Sequence, residues 1–171
     1  MDNLKGKLVL IGMPGCGKST IGKMLAEELE YSFYDMDEYI EEISSKSIKE
    51  LFEIGEEEFR NYESKACEEL SKKRKAIISC GGGVIKRVKN IDVFKNESII
   101  VFIDRPVENI ILDIDTDTRP LLAEGKERLY NLFEERYDLY KKYSNIRVVN
   151  DRYLEDAMLE VKNKVCDLTK L

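Results

Sequence analysis

The sequence predicts an α/β protein in three layers, in which helices flank a parallel sheet of five strands. Short, nearly continuous apolar runs alternate along the chain with longer segments of helical periodicity. Such apolar runs are typical of strands that are buried on both faces, and parallel strands are joined by right-handed helical crossovers. The 171 residues contain no internal repeat or linker, so we predict a single domain over residues 1–171.

The predicted strands are the segments richest in leucine, valine and isoleucine, at 7–11, 31–34, 76–80, 98–103 and 146–149. Helices are predicted directly after the first strand, near 38–52 and 56–75, and over 126–143 and 154–168. Ligands of such sheets bind at the carboxyl ends of the strands. We therefore expect the functional residues at these ends or on the neighbouring helices.

Composition excludes several classes of function. The formal net charge of −6 gives the protein no overall attraction for nucleic acid or for an anionic membrane. No apolar stretch approaches the roughly 20 residues that span a bilayer, and the amino terminus has no apolar signal region. The spacing of the four cysteines indicates neither zinc nor a disulfide framework. We expect a cytoplasmic protein with free thiols.

A phosphate-binding loop is predicted at residues 12–19, which read Gly-Met-Pro-Gly-Cys-Gly-Lys-Ser and match the pattern G-x-x-x-x-G-K-[ST]. The loop follows a strand and opens a helix, where glycines let successive N–H groups point at one anion. Lys18 can reach the β- and γ-phosphates, and the Ser19 hydroxyl can bind Mg²⁺. The alternatives are a plain glycine turn and a module that binds nucleotide without turnover.

Cys16 lies within this loop. The simpler interpretation is a small residue that fills a loop position. A thiol at a helix amino terminus should also have a lowered pKa. We therefore state the hypothesis that oxidation or alkylation of Cys16 blocks ATP binding.

Two aspartates end the second predicted strand. Asp35 and Asp37 are two residues apart, which places them on one side of an extended backbone. Two close carboxylates repel each other unless a cation or a hydrogen-bond donor lies between them. Magnesium bound to nucleotide would supply the cation, and the second carboxylate could accept a hydrogen bond from a hydroxylated substrate. Helix capping and a favourable first-turn acid are the structural alternative.

Arginines occur where apolar residues are expected. Arg136 lies inside the apolar stripe of the helix predicted over 126–143, and Arg60 borders a second such stripe. A buried charge is costly without a partner, so each needs an internal carboxylate or an anionic ligand. The internal pair is the more ordinary explanation. Two such arginines near a phosphate loop nevertheless suggest a pocket for an anionic, hydroxylated substrate.

Three consecutive glycines, at 81–83, follow the third predicted strand. A plain turn needs fewer, so we expect a ligand to approach the backbone closely there. The polar segment 113–126 has the length and composition of a lid between helices. Arg119 in this segment could close on the transferring phosphate, although a solvated loop would have a similar composition.

Taken together, these residues make the sequence resemble the shikimate kinase family along nearly the whole chain. The matching segments are 12–20, 33–37, 55–60, 81–83, 119–122 and 136–140. The first is shared by many nucleotide-binding families, whereas the others are more specific in this order and spacing. The resemblance implies a P-loop kinase fold, with substrate-binding helices near 35–75 and a lid near 113–126.

The implied reaction is phosphoryl transfer from ATP to the 3-hydroxyl of shikimate, a step towards chorismate and the aromatic amino acids. The resemblance assigns the ATP phosphates to Gly15, Cys16, Gly17, Lys18, Ser19 and Thr20. It implies Mg²⁺ at Ser19 and Asp35, and catalytic roles for Lys18, Asp37 and Arg119. It assigns the acceptor to Asp37, Arg60, Gly82 and Arg136. The family is typically monomeric, and ATP and shikimate are its small-molecule partners.

One position departs from the family. Many members carry an arginine that packs on adenine seven residues before the lid arginine, and this sequence has Leu112 there. Arg152 is the substitute that we consider for contact with ATP, and we expect a weaker or differently held adenine. A kinase for another hydroxylated acid, such as gluconate, and a catalytically silent relative are the competing interpretations.

Overall fold

A computed structural model describes residues 6–113 and 125–169 of the chain. The predicted lid, apart from its ends, and Arg119 within it lie outside the described residues.

The core of the fold is a sheet of five parallel strands, which confirms the predicted architecture. The strands are β1 Lys7–Ile11, β2 Ser32–Asp35, β3 Ala76–Ser79, β4 Ser98–Asp104 and β5 Ile146–Val149. Their spatial order is β2-β3-β1-β4-β5, so β1 is central, and every pairing is parallel. All five residues of β1 are buried, as a continuous apolar run between two layers of helices requires.

Eight α-helices are described. They are α1 Lys18–Leu29, α2 Met36–Ser44, α3 Ile48–Ile54, α4 Glu56–Leu70, α5 Val88–Asp92, α6 Val107–Asp113, α7 Lys126–Tyr143 and α8 Leu154–Thr169. A short 3₁₀ turn, Val84–Lys86, precedes α5. Helix α1 packs against β3 and α8, and α7 packs against β4 and the 3₁₀ turn. None of the helices in the described ranges is both long and apolar enough to cross a membrane.

The helix predicted at 38–52 is wrong in its continuity, because the structure has two helices there. Ser45 adopts a left-handed conformation with φ 54° and ends α2, and Ser47 caps the start of α3. A capping box joins the Ser47 and Glu50 side chains to each other's backbone N–H groups. Two short helices, α5 and α6, were not predicted, because five to seven residues are too few to show helical periodicity.

The strand order brings the predicted motifs to one edge of the sheet. The phosphate loop follows β1, Asp35 ends β2, and the glycine triplet follows β3. Because β3 lies between β1 and β2, the triplet stands between the loop and the aspartates.

Candidate active site

A cavity of about 820 Å³ opens at this edge of the sheet. Most of the residues predicted for the site line it, namely Gly15, Gly17, Lys18, Ser19, Thr20, Asp35, Asp37, Arg60, Gly82 and Arg136. Cys16 and Arg152 are not among the lining residues. Residues distant in sequence, from the phosphate loop to α7, therefore face one common space.

The phosphate loop depends on glycine at three positions. Gly12, Gly15 and Gly17 have φ values of 149°, 80° and 97°, which residues with side chains rarely adopt. Gly17 caps α1, so the helix amino terminus faces the cavity. The Lys18 ammonium donates hydrogen bonds to the carbonyls of Gly12, at 3.0 Å, and Met13, at 2.8 Å. Lys18, which lines the cavity, thus joins the end of the phosphate loop to its beginning.

Cys16 is fully buried, and its Sγ atom lies 3.6 Å from Lys18 Nζ. The hypothesis of a reactive thiol needs access for an oxidant or an alkylating reagent. This burial opposes such access and favours the simpler interpretation of a space-filling residue, while the effect of modification on ATP binding stays a prediction. The side chain instead fills space beneath the loop, where a Cβ on Gly12 would lie 2.8 Å from the sulfur.

Asn150 is a loop contact that the sequence did not reveal. It directly follows β5, is 1% exposed, and donates from Nδ2 to the Cys16 carbonyl at 2.9 Å. A Cβ on Gly17 would lie 2.8 Å from the same Nδ2 atom. A single asparagine without a motif carries no signal in the sequence that could have singled it out.

Asp35 joins the phosphate loop to β2. Its Oδ2 accepts the Ser19 hydroxyl at 2.6 Å, and its Oδ1 accepts the Asp37 N–H at 3.0 Å. Asp35 is therefore the N-cap of α2, as the structural alternative expects, and its other oxygen contacts the phosphate loop, while its role toward Mg²⁺ stays a prediction. Ser79 at the end of β3 adds a third oxygen, 3.0 Å from Ser19 Oγ, which the sequence analysis missed.

This oxygen-only set suits Mg²⁺, which prefers hard ligands and usually binds through one or two carboxylates together with substrate phosphates. In the described ranges, no three histidine, cysteine or acidic side chains cluster as metal ligands. The Ser19 hydroxyl and the Asp35 carboxylate, 2.6 Å apart beside the phosphate loop, are the types of ligand that a nucleotide-bound Mg²⁺ would use.

Asp37 lies in the wall of the cavity and is a perturbed acid. Burial, followed by the negative charge of Asp35, raises the pKa of the Asp37 carboxyl, and Lys18 and Arg60 act in the opposite direction. A carboxyl of this kind in a cleft is typical of a group with a chemical role.

Arg60 is held by two acids of its own helix. Its Nη1 donates to both Glu63 oxygens at 2.9 Å, and its Nε donates to Glu56 at 3.2 Å. Glu63 is 1% exposed, and burial raises the pKa of its carboxyl while Arg60 opposes the shift. The ordinary explanation, an internal ion pair, is thus realised for Arg60. Glu63, three residues after Arg60 in the same apolar stripe, could have been singled out by that spacing.

Arg136 is bound differently. It is 8% exposed, and the carboxylate within 4 Å of its guanidinium among the described residues is that of Glu135, whose oxygen is 3.8 Å from Nε. The Nε atom has no hydrogen-bond partner among the described residues. The expected internal pair is therefore weak, and a buried guanidinium without a close carboxylate in this part of the chain lines the cavity, as the site of an anionic ligand requires.

The glycine triplet makes room for other parts of the site. A Cβ would lie 3.1 Å from Asp37 Oδ1 if added to Gly81, 2.8 Å from Pro14 Cδ at Gly82, and 2.5 Å from Arg60 Nη1 at Gly83. None of the three glycines has a positive φ. The close approach expected here is therefore made by the protein's own site residues, in addition to any ligand.

Two residues concern the predicted contact with adenine. Leu112 stands where many family members carry the arginine that packs on adenine, and Arg152 is the substitute considered for it. Leu112 is 82% exposed at the end of α6, and Arg152 is exposed in the turn before α8. The structure does not bring either side chain to the cavity, so the contact of Arg152 with ATP stays a prediction.

A glycine-rich phosphate loop, a Ser19–Asp35 oxygen pair and a perturbed acid in one cleft define a phosphotransferase of the P-loop class. The family model for shikimate kinase matches residues 14–166. The chain is 54% identical to the shikimate kinase of Clostridium beijerinckii over 164 residues, 96% of this chain and 97% of the relative. The chain therefore belongs to the shikimate kinase family.

Solved structures agree. The shikimate kinase of Acinetobacter baumannii in complex with shikimate superposes with a TM-score of 0.91 and 28% identity, covering 96% of this chain and 95% of that one. A gluconokinase from Sinorhizobium meliloti superposes with a TM-score of 0.69 and 18% identity, covering 98% of this chain and 95% of that one. The second likeness shows the fold alone.

Proposed function

We propose that this chain transfers the γ-phosphoryl group of ATP to the 3-hydroxyl of shikimate, giving ADP and shikimate 3-phosphate in the biosynthesis of aromatic amino acids. The observation that supports it most is Arg136, a buried guanidinium that lines the same cavity as the phosphate loop and whose Nε has no partner among the described residues. A hydroxylated carboxylic acid supplies both the anion for Arg136 and the nucleophile for ATP.

On the acceptor side, Asp37 orients the 3-hydroxyl and can accept its proton. Its position in the cavity and the raised pKa of its carboxyl support this role. Arg60, Arg136 and the Gly82 N–H bind the carboxylate and fix the ring. Phosphoryl transfer needs alignment and neutralisation of charge more than covalent participation, and these residues supply the alignment.

On the nucleotide side, the loop from Gly15 to Thr20 binds the phosphates with its N–H groups. Lys18 exchanges its contacts with loop carbonyls for phosphate oxygens and neutralises charge in the transition state. Ser19 and Asp35 would hold Mg²⁺, which would supply further neutralisation of the phosphate charge. Arg119 approaches the γ-phosphate from the lid segment, which lies outside the described residues.

We also propose a monomer that acts on small molecules in the cytoplasm. All the groups assigned above belong to one chain, so catalysis does not need a second copy. Cys16, Cys67 and Cys80 are free and buried, as thiols of a reducing compartment are expected to be. Size-exclusion chromatography with light scattering tests the first proposal, and cell fractionation tests the second.

Gluconate phosphorylation is the second candidate, because a gluconokinase shares the fold. Release of ADP from ATP and Mg²⁺ is measured with shikimate, with gluconate and without an acceptor. We expect ADP release only in the mixture that contains shikimate as the acceptor. Asp37→Asn should lower kcat by about 10²- to 10⁴-fold. Asp92→Asn, at an exposed position, is the matched control. Release with gluconate but not with shikimate would overturn the proposal, and ATP binding without release would indicate a silent relative.

A further inference from the structure

Tyr140 is the residue that connects the two sides of the acceptor pocket. It lies on α7 one turn after Arg136 and is fully buried. Its hydroxyl donates to the Gly82 carbonyl at 2.6 Å. This bond joins α7 to the glycine triplet after β3, two parts of the chain separated by 58 residues.

Arg136 lies one helical turn before Tyr140 on α7 and lines the cavity. Burial raises the pKa of Tyr140, whereas the positive charge of Arg136 lowers it. A phenol oxygen can donate one hydrogen bond and accept others, so Tyr140 can serve Gly82 and Arg136 at once. Among the described residues, the carboxylate within 4 Å of Arg136 is that of Glu135, at 3.8 Å, so the guanidinium is held only weakly by acids in this part of the chain.

Glycine backbone is free to turn unless an outside contact restrains it. Gly82 is restrained on one side by Pro14, which a Cβ would meet at 2.8 Å, and on the other by the Tyr140 hydroxyl. The Tyr140 ring is itself fixed by stacking on Phe102 of β4, with centroids 5.2 Å apart. A ring that stacks on the sheet thus holds the Gly82 peptide, one helical turn from the Arg136 guanidinium.

We propose that Tyr140 is a positioning residue that sets the Gly82 backbone and the Arg136 guanidinium at the separation required by the carboxylate of the acceptor. The inference rests on the proposed function, since it assigns a role within the same pocket. It predicts that the hydroxyl serves recognition of the acceptor carboxylate and not recognition of ATP.

The test compares Tyr140→Phe with Tyr137→Phe. Both tyrosines lie on α7, contact the ring of Phe102 and donate one hydroxyl hydrogen bond, but Tyr137 donates to Asp104 at 3.0 Å and not to the glycine triplet. For Tyr140→Phe we expect KM for shikimate to rise about five- to tenfold, with KM for ATP within about twofold. Tyr137→Phe should leave both constants within about twofold.

A second substrate shows whether Tyr140→Phe impairs the positioning of the carboxylate-binding groups or damages the fold as a whole. The methyl ester of shikimate lacks the carboxylate charge, so the unmodified protein should prefer shikimate strongly. Tyr140→Phe should reduce this preference by about the same five- to tenfold, because it weakens recognition of the carboxylate. A structural defect would lower the kcat/KM of both acceptors equally and leave the preference unchanged.

Several outcomes would overturn the inference. These are an unchanged KM for shikimate in Tyr140→Phe, equal changes in the two KM values, an unchanged preference over the ester, and a variant that does not fold. Absence of shikimate-dependent ADP release from the unmodified protein would instead reject the proposed function. The two failures are therefore distinguishable, because the second appears before any variant is made.

Discussion

At the scale of single residues, Asp37 shows a conflict between chemistry and stability. The carboxyl is buried beside Asp35, and both burial and that charge disfavour its ionised form. Because its pKa is raised in the folded protein, the folded state binds the proton more tightly than the unfolded chain. The free energy of unfolding therefore falls as the pH rises through the raised pKa. At neutral pH, an ionised Asp37 makes the protein less stable.

We accordingly expect Asp37→Asn to be more stable than the unmodified protein at pH 7, by about 0.5–2 kcal/mol, a gain commonly seen when strain at a functional site is relieved. The gain should disappear in acid, below the pH at which Asp37 itself is protonated. Urea unfolding at pH 7 and pH 4 measures both. Asp92→Asn, where the aspartate is half exposed, should change stability by less than about 0.5 kcal/mol. A destabilised Asp37→Asn at pH 7 would contradict this account.

Ionisation of the Asp37 carboxyl should also change the pH dependence of catalysis. If the ionised carboxylate accepts the substrate proton, kcat/KM should fall in acid with an apparent pKa above that of an ordinary aspartate, because burial raises the pKa of Asp37. A pH profile of kcat/KM for shikimate measures this. An acid limb at or below the ordinary aspartate range would show that another group controls the profile.

At the scale of elements, the single helix predicted from the sequence is divided into two short helices, α2 and α3. Asp37 lies in the first turn of α2, and Arg60 lies in α4, which packs against both α2 and α3. The signal for the break was present in the sequence, because Ser47 and Glu50 have capping-box spacing. The boundary was missed because α2 and α3 both pack against α4. The apolar pattern of one helix therefore continues into the other without a visible interruption.

We expect Ser47→Ala to lower the free energy of unfolding by about 1 kcal/mol, because it removes the side-chain acceptor for the Glu50 N–H. The kinetic constants for ATP should not change. Ser71→Ala is the control, since the Ser71 hydroxyl donates to the Glu68 carbonyl at an exposed helix end. Chemical denaturation compares the two, and an equal effect of both substitutions would show that the cap is not what separates α2 from α3.

At the scale of the whole molecule, the last strand and the first loop are joined through Asn150. The Asn150 N–H donates to the Asp104 carbonyl at the end of β4, and its side chain donates to the Cys16 carbonyl in the phosphate loop. The end of β5 therefore supports a loop that begins more than 130 residues earlier in the chain. The contact is possible because β1, β4 and β5 are consecutive in the sheet.

We expect Asn150→Ala to raise KM for ATP about tenfold, because it leaves a buried loop carbonyl without its donor. Shikimate binding without nucleotide, measured by calorimetry, should not change. Asn145→Ala is the matched control, since Asn145 precedes β5 and accepts the Ile100 N–H at 2.8 Å, away from the loop. An unchanged KM for ATP in Asn150→Ala would show that the loop keeps its shape without this bond.

The sequence by itself determined the architecture and most of the candidate site. Apolar runs between helical segments imply a parallel sheet, and local spacing places Lys18, Ser19, Asp35 and Asp37 at strand ends. These inferences succeed because strand burial, loop chemistry and helix starts depend on residues within a few positions of each other. Helical spacing also singled out Arg60 and Arg136, and resemblance to a family added the Gly82 N–H and the joint role of these three residues.

The tertiary structure decided which groups meet. It paired Arg60 with Glu63 but left Arg136 Nε without a partner among the described residues, although one arginine borders an apolar stripe in the sequence and the other lies inside one. It also assigned Tyr140 to Gly82 and Asn150 to the phosphate loop, and it buried Cys16. These contacts join residues that are far apart in the chain. Their geometry follows from the strand order and from packing density, which local sequence patterns do not encode.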